Sequence, residues 1–308
     1  MRQPPTIQFL PDGRRLHMSD GPIDLIVQAF GDSVEIQEAY RAAAARFPNV
    51  LDELCGELSL LRLRAPHEGP VPDGSIARRM LAAVIPFASR CFITPMAAVA
   101  GAVAEEILES MTSAAELSRA YVNDGGDIAV HLSTGQQLTV GMVNDRAALR
   151  HAKDVSLFGT VQIDYAHDVR GIATSGWRGR SFSLGIADTV TVLARRAAMA
   201  DAAATVIANA IDLPGNRAIF RVPARDLAPD SDLGDIPVTR DVRPLNPTEI
   251  SDALESGARV ARELLYDGLI CAAALHLQGH TRVIGDVTRA APPSLSKSGE
   301  FDRSPAHA

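Results

Sequence analysis

The sequence predicts an α+β fold, a central sheet packed against Ala-rich helices within one domain over residues 1–290. Three observations carry this. Apolar residues make up 46% of the 308 residues, enough for a substantial core. Alternating strand-like runs and helix-spaced runs follow one another across a continuous apolar region. Several of the helix-spaced runs are built from small side chains, MAAVAGAVAEEILESM and MADAAAT among them.

Taken in order, residues 1–30 predict a short hairpin in which IQFL and LHM flank PDGRR, followed by IDLIVQAF as a strand or short helix. The Asp-Gly pair marks the turn, because glycine accepts the positive φ of a tight reversal. From Ser33 to about Leu61, helical spacing continues past Pro48, which predicts two helices or one interrupted helix. The most apolar segment, Met80 to Ile107, is broken by Pro86, Arg90 and Pro95 and ends in Glu105 and Glu106, so it predicts a buried turn and helix and not a membrane span. Pro95 suits a helix's first turn with Thr94 as its cap. The small side chains that follow permit close approach by another element or a ligand.

The centre reads as sheet. YVNDGGDIAVHL and QQLTVGMV are strands separated by Ser-Thr-Gly, and VSLFGTVQIDY and GIATSGWRGRSFSL add alternating runs punctuated by glycine. A helix from about Arg196 to Ala210 cannot continue through Pro214 and Gly215. Residues 222–245, rich in aspartate and proline, predict a surface loop or connector outside the core. A last helix spans Pro247 to Tyr266, AAALHLQGHTRVIGD is a strand with its turn, and the polar, Pro-rich end 291–308 predicts a disordered tail. No repeat of 20–50 residues, GxGxxG or GxxxxGK[ST] is present.

A net charge of -7 gives no general attraction to nucleic acid or an anionic membrane. The cysteines, Cys55, Cys91 and Cys271, are far apart without a CxxC pair, as core thiols in a reducing compartment would be. Proline and charge near the N-terminus predict no export and a cytoplasmic location.

Three stretches can carry chemistry. In NDGGDI, adjacent glycines let the backbone approach a ligand and offer N–H groups to an anion or heterocycle edge; the local pattern by itself favours a plain turn with capping aspartates. In ATSGWRGRSFSLG, Thr174, Ser175 and Gly176 offer hydroxyls and open backbone, Trp177 a flat surface, and Arg178 and Arg180 positive charge. A solvated hairpin is the alternative. In ADAAAT, Asp201 and Thr205 stand four apart and share a helical face that Asn209 extends. Their oxygens suit a hard cation once other oxygens complete the shell, while helix-dipole and backbone-bonding roles need no ion.

NDGGDI, GIATSG and ADAAAT, in that order, resemble the ApbE-like family, whose better known members are magnesium-dependent transferases that attach FMN from FAD to a Thr or Ser of a target protein. The resemblance runs from about Asn123 to Ala210. It implies a mostly antiparallel central sheet, a ligand site at Gly125, Gly126, Asp127, Thr174, Ser175 and Gly176, and a Mg2+ pair at Asp201 and Thr205. Arg178 and Arg180 join the site as partners for phosphate. The ligand implied is a small phosphorylated heterocycle, a flavin or a pterin.

The sequence departs from the transferases in two places. SFSLGIADTVTVLARRAAM stands where those enzymes carry a His-containing HxIIDPxTG segment, and TPMAAVAGAVAEE stands where they carry a Lys-Gly-Tyr segment. FITPMAAVAGAVAEEI resembles the uncharacterised UPF0280 branch. Ser183 and Asp188 are the replacements available near the missing histidine. Three readings follow: an enzyme acting on a flavin-like or pterin-like cofactor, a non-catalytic cofactor-binding or carrier protein, and a structural or assembly protein built on the small-residue helices.

Overall fold

A computed structural model describes residues 4–66, 70–143, 157–286 and 306–307. The tail expected from residue 291 lies outside the described residues, except that Ala306 and His307 pair with Val140 and Gly141.

Strands β1 (Thr6–Phe9), β2 (Leu16–Asp20) and β3 (Ile23–Phe30) form an antiparallel meander. Asp12 shapes the first turn by accepting hydrogen bonds from the Arg14 and Arg15 amides. IDLIVQAF is the strand alternative: Leu25, Val27 and Ala29 are buried on one face, the period-2 signature of a pleated strand.

Helix α1 (Ser33–Arg46) is capped by Asp32, which accepts from the Val34 N–H. Pro48 opens a 3₁₀ turn, Phe47–Asn49, and the chain continues as α2 (Val50–Gly56) and α3 (Leu58–Leu61), so the helical run is interrupted where proline removes a donor. Then come α4 (Ser75–Val84) and α5 (Val99–Ala114). Thr94 does not act as the expected side-chain cap. Its hydroxyl bonds Asp232 instead, and Pro95 opens a 3₁₀ turn, Pro95–Ala98, ahead of α5.

The central region holds β4 (Arg119–Asp124), β5 (Asp127–Leu132), β6 (Gln137–Val143), β7 (Leu157–Asp164), β8 (Gly171–Ser175) and β9 (Thr189–Ala194). YVNDGGDIAVHL is thus two strands and not one, because two positive-φ glycines reverse the chain. GIATSGWRGRSFSL is strand only as far as Ser175, and DTVTVLA, buried at every position from Thr189 to Ala194, is a strand absent from the sequence expectations.

Helix α6 (Ala197–Ala210) is followed by β10 (Ile219–Pro223), α7 (Ala224–Leu227) and β11 (Pro237–Val242). Residues 222–245 are therefore no loop outside the core: β10 and β11 pair, and Ala224, Val238 and Thr239 are buried. The chain ends its described core with α8 (Pro247–Tyr266), β12 (Ala272–Leu277) and β13 (His280–Gly285). A capping box between Asn246 and Glu249 fixes the start of α8.

Nine strands form one antiparallel sheet in the order β1-β2-β3-β4-β5-β8-β9-β12-β13. One face packs against the helices through Val122, Ala129, Val192 and Leu275. The other carries Ile128, Val130 and Ile172 against Val140, Val161 and Ile163 of the β6–β7 ribbon. The small residues of α5 and α6 serve close packing: a Cβ on Gly101 would lie 2.4 Å from the Ala197 carbonyl oxygen. Glu105 secures the same junction. Its carboxylate accepts from the Ala198 N–H at 2.9 Å and from Arg196 at 2.8 Å and Arg79 at 2.9 Å.

Candidate functional site

The Gly125–Gly126 turn places Asp124 and Asp127 directly opposite each other as cross-strand partners. By strand alternation both face the helices, along with Ala120, Val122 and Ala129. Two carboxylates so placed repel, and both are buried. Burial first, then the charge of Asp127, pushes the Asp124 carboxyl up to about 7, with Arg180 acting in the opposite direction from 3.6 Å. Asp127 accepts from the Thr174 N–H at 3.0 Å, which draws the end of β8 against the turn.

Asp201 enters from α6. Its carboxylate accepts from the Gly101 N–H at 3.0 Å, so the α5–α6 contact that holds the helices also aims this side chain. Removal from bulk water, then the charges of Asp127 and Asp124, hold its carboxyl well above the usual range. Interacting buried acids whose proton affinity is raised, gathered in a cleft, mark a candidate functional site.

These groups line a cleft with two lobes, about 570 Å³ and about 600 Å³, which share Asp127, Arg180, Asp201 and Thr205. Gly125, Thr174, Ser175 and Gly176 line the first lobe beside Asp124. Six of the eight expected ligand residues and both of the expected metal pair thus converge.

Gly126 and Arg178 do not line either lobe. Gly126 has the turn role, its N–H donating to Asn123 Oδ1 at 2.6 Å. Arg178 pairs with Asp188 at 3.0 Å and lies over the Trp177 ring, 4.4 Å from its centroid. Trp177 packs against the core and so offers no stacking surface to the cleft. Of these two arginines it is Arg180 that reaches the cleft, and its guanidinium occupies the space a Cβ on Gly125 would need, 2.1 Å from Nη2.

Ser183 and Asp188 are both committed elsewhere. Ser183 is buried and bonds Asn209, while Asp188 accepts from Arg178 and from the Gln278 N–H. Asp124 is the functional candidate absent from the sequence expectations. Its signal was present: DGGD read as a hairpin, with two turn residues, forces both aspartates onto one face.

Asp201 and Thr205 supply hard oxygens of the kind magnesium takes. Among the described residues no group of three His, Cys, Asp or Glu side chains converges closely enough to enclose an ion, so an ion held by Asp201 and Thr205 would need ligand or water oxygens to complete its shell.

The family model described as AbpE bacteria matches residues 7–283. The chain belongs to this family. Its relatives include UPF0280 proteins of Methanothrix thermoacetophila, 34% identical over 148 residues that cover 47% of this chain and 56% of the relative, and of Archaeoglobus fulgidus, 38% identical over 119 residues that cover 39% and 45%. A UPF0280 protein of Methanopyrus kandleri is 38% identical over 136 residues, covering 44% and 48%. The chain spans about half the length of these curated relatives. Among solved structures, the Pseudomonas stutzeri flavinyl transferase ApbE in apo form is 10% identical with a TM-score of 0.39, covering 92% of this chain and 95% of that one. Flavin transferase ApbE from Vibrio cholerae is 12% identical with a TM-score of 0.37, covering 91% and 97%. Among the described residues, no helix of this AbpE bacteria family member is long and apolar enough to cross a membrane.

Proposed function

We propose that this chain is a magnesium-dependent enzyme acting on a phosphorylated flavin-like or pterin-like cofactor. The observation that carries the reading is the shared floor of the two lobes, where Asp127, Asp201, Thr205 and Arg180 meet. The Asp201 carboxyl, which resists ionisation, beside Asp127 and the Arg180 guanidinium suits a ligand bringing a divalent cation together with phosphate. Asp201 and Thr205 would hold that cation, whose chemistry there is to neutralise charge on phosphate oxygens. Arg180 pairs with phosphate in place of Asp124, and the hydroxyls and amides of Thr174, Ser175 and Gly176 bind the polar edge of the heterocycle.

A non-catalytic carrier is the second reading. It is favoured by one observation: no histidine lines either lobe, and Ser183 and Asp188 are tied into structural bonds.

The first test is the absorption spectrum of the purified protein and the mass of any extracted small molecule. Calorimetric titration of FAD with and without magnesium then compares wild type, Asp201→Asn and Thr205→Val after their folding is checked. Magnesium should tighten FAD binding in wild type, strongly less so in Asp201→Asn, and less so to a smaller degree in Thr205→Val. Wild-type binding indifferent to magnesium ends the cation assignment. Tight FAD binding with FAD recovered intact after long incubation with hydroxyl acceptors selects the carrier.

A further inference from the structure

We infer that the first lobe of the cleft is the seat of a planar heteroaromatic ring, held against a leucine wall, with the phosphate end of the same ligand directed to Arg180 and Asp201. This rests on the proposed function, and it names which end of the ligand lies where.

The wall comes from α2 and α3. Leu51, Leu54, Leu58 and Leu61 recur at spacings of three, four and three, the stripe of a helical face, and all four line the lobe. Leu54 and Leu61 are sealed into the core and fix the wall, while Leu51 and Leu58 remain half-buried with surface to offer. Leu51 packs over Gly21, where a Cβ would lie 2.8 Å from its Cδ2. Ile23, Met96, Val99 and Val103 complete the apolar lining, and a thioether beside leucines accommodates an aromatic ring well.

The polar groups of the lobe form a separate set, running from the Asp124–Asp127 turn through Thr174, Ser175 and Gly176 to Arg180 and Asp201. An alkyl chain has no use for the Ser175 hydroxyl and the Gly176 backbone. A ring with apolar faces and a polar edge uses both kinds of lining. The volume, about 570 Å³, lies in the range of small-ligand sites. The second lobe adds Thr94, Asn209, Asp230, Ser231 and Asp232 to apolar side chains of its own, Phe92 and Phe182 among them, so the leucine wall is what sets the first lobe apart.

Cys55 supplies a reporter, because it is exposed and lines the same lobe. In the wild-type full chain, the rate of Cys55 alkylation by iodoacetamide is followed by peptide mass mapping. Saturating riboflavin or a reduced pterin, rings without phosphate, should slow alkylation about tenfold or more, and pyrophosphate with magnesium should not. Leu58→Ala should raise the ring concentration needed for half protection by about tenfold, the scale of a lost apolar contact in a pocket. Leu58→Met, which keeps volume and apolar character, should restore protection.

Unchanged Cys55 alkylation with both rings overturns the inference, and so does protection by decanoate without protection by either ring, which would make the lobe an alkyl site. If FAD nevertheless binds with magnesium in calorimetry, the proposed function survives that failure. Ring protection combined with magnesium-indifferent FAD binding has the opposite meaning: the lobe assignment holds and the magnesium reading falls.

Discussion

At the scale of single residues, the buried Asp124 carboxyl, held opposite Asp127, ties the stability of the fold to pH. The Asp124 carboxyl moves from an ordinary value of 3.8 up to about 7 on folding. The folded chain therefore holds a proton that the unfolded chain has lost between those values, so stability is fully present below about pH 4 and declines as pH rises through about 7. A tenfold change in proton affinity is worth ~1.4 kcal/mol, which makes the whole effect on the order of a few kcal/mol. Asp201 adds a trend of the same sign, and His276, whose proton affinity is lowered by burial, opposes it at lower pH. Asp124→Asn removes one contribution and leaves the others. Urea midpoints of wild type without divalent cation should fall between pH 5 and pH 8 more steeply than those of Asp124→Asn, and the variant should be the more stable at pH 8. Parallel midpoint curves would mean that Asp124 ionises freely in the folded protein. The residue types of this cleft were legible in NDGGDI, GIATSG and ADAAAT, but the choice between Arg178 and Arg180 was not. That choice depends on a turn in which the Gly179 N–H donates to the Gly176 carbonyl at 3.0 Å, a geometry no spacing rule specifies.

At the scale of elements, the junction of α5 and α6 links stability to the site. The run of small residues in MAAVAGAVAEEILESM announced a face made for close approach, yet the sequence left open whether a ligand or a helix would approach it. The structure gives α6, and the reason lies in Gly101: its missing side chain admits the Ala197 carbonyl, and its N–H donates to Asp201. Strands were harder to read where both faces are buried. DTVTVLA alternates Thr with Val over 189–192, but all six residues of β9 are buried, so no exposed face marks the strand as Asp24 marks β3. We expect Gly101→Ala to lower stability by about 1–3 kcal/mol, the cost of forcing a methyl into packed backbone. The same substitution should weaken magnesium-dependent FAD binding, because α6 must shift away from the amide that aims Asp201. Thermal melts and calorimetry on one preparation check both effects. A variant that melts early but binds magnesium and FAD as wild type does would break the proposed link between the helix junction and the site.

At the scale of the whole molecule, the sheet separates two tasks. Its helix-facing side carries the cleft, while its other side is closed by the β6–β7 ribbon, which leaves the sheet between neighbours β5 and β8. Local patterns could not foretell this departure, because QQLTVGMV and VSLFGTVQIDY alternate like any hairpin; only the pairing of Ile128 with Ile172 shows that β8 takes the place beside β5. Ile163 lies at 1% exposure in the ribbon-side core, none of whose residues lines the cleft. Ile163→Ala should therefore cost about 2–5 kcal/mol, the transfer of buried methylenes plus a cavity that packed neighbours fill only in part. Under conditions where the variant remains folded, its affinity for FAD and its magnesium dependence should match wild type within a factor of two or so, since distant sites without shared partners add independently to within about 0.3–0.5 kcal/mol. Urea titration measures the first quantity and calorimetry the second. A loss of affinity that tracks the loss of stability would show that the ribbon and the cleft work as one unit through the sheet, and would move the ribbon from support into the machinery of binding.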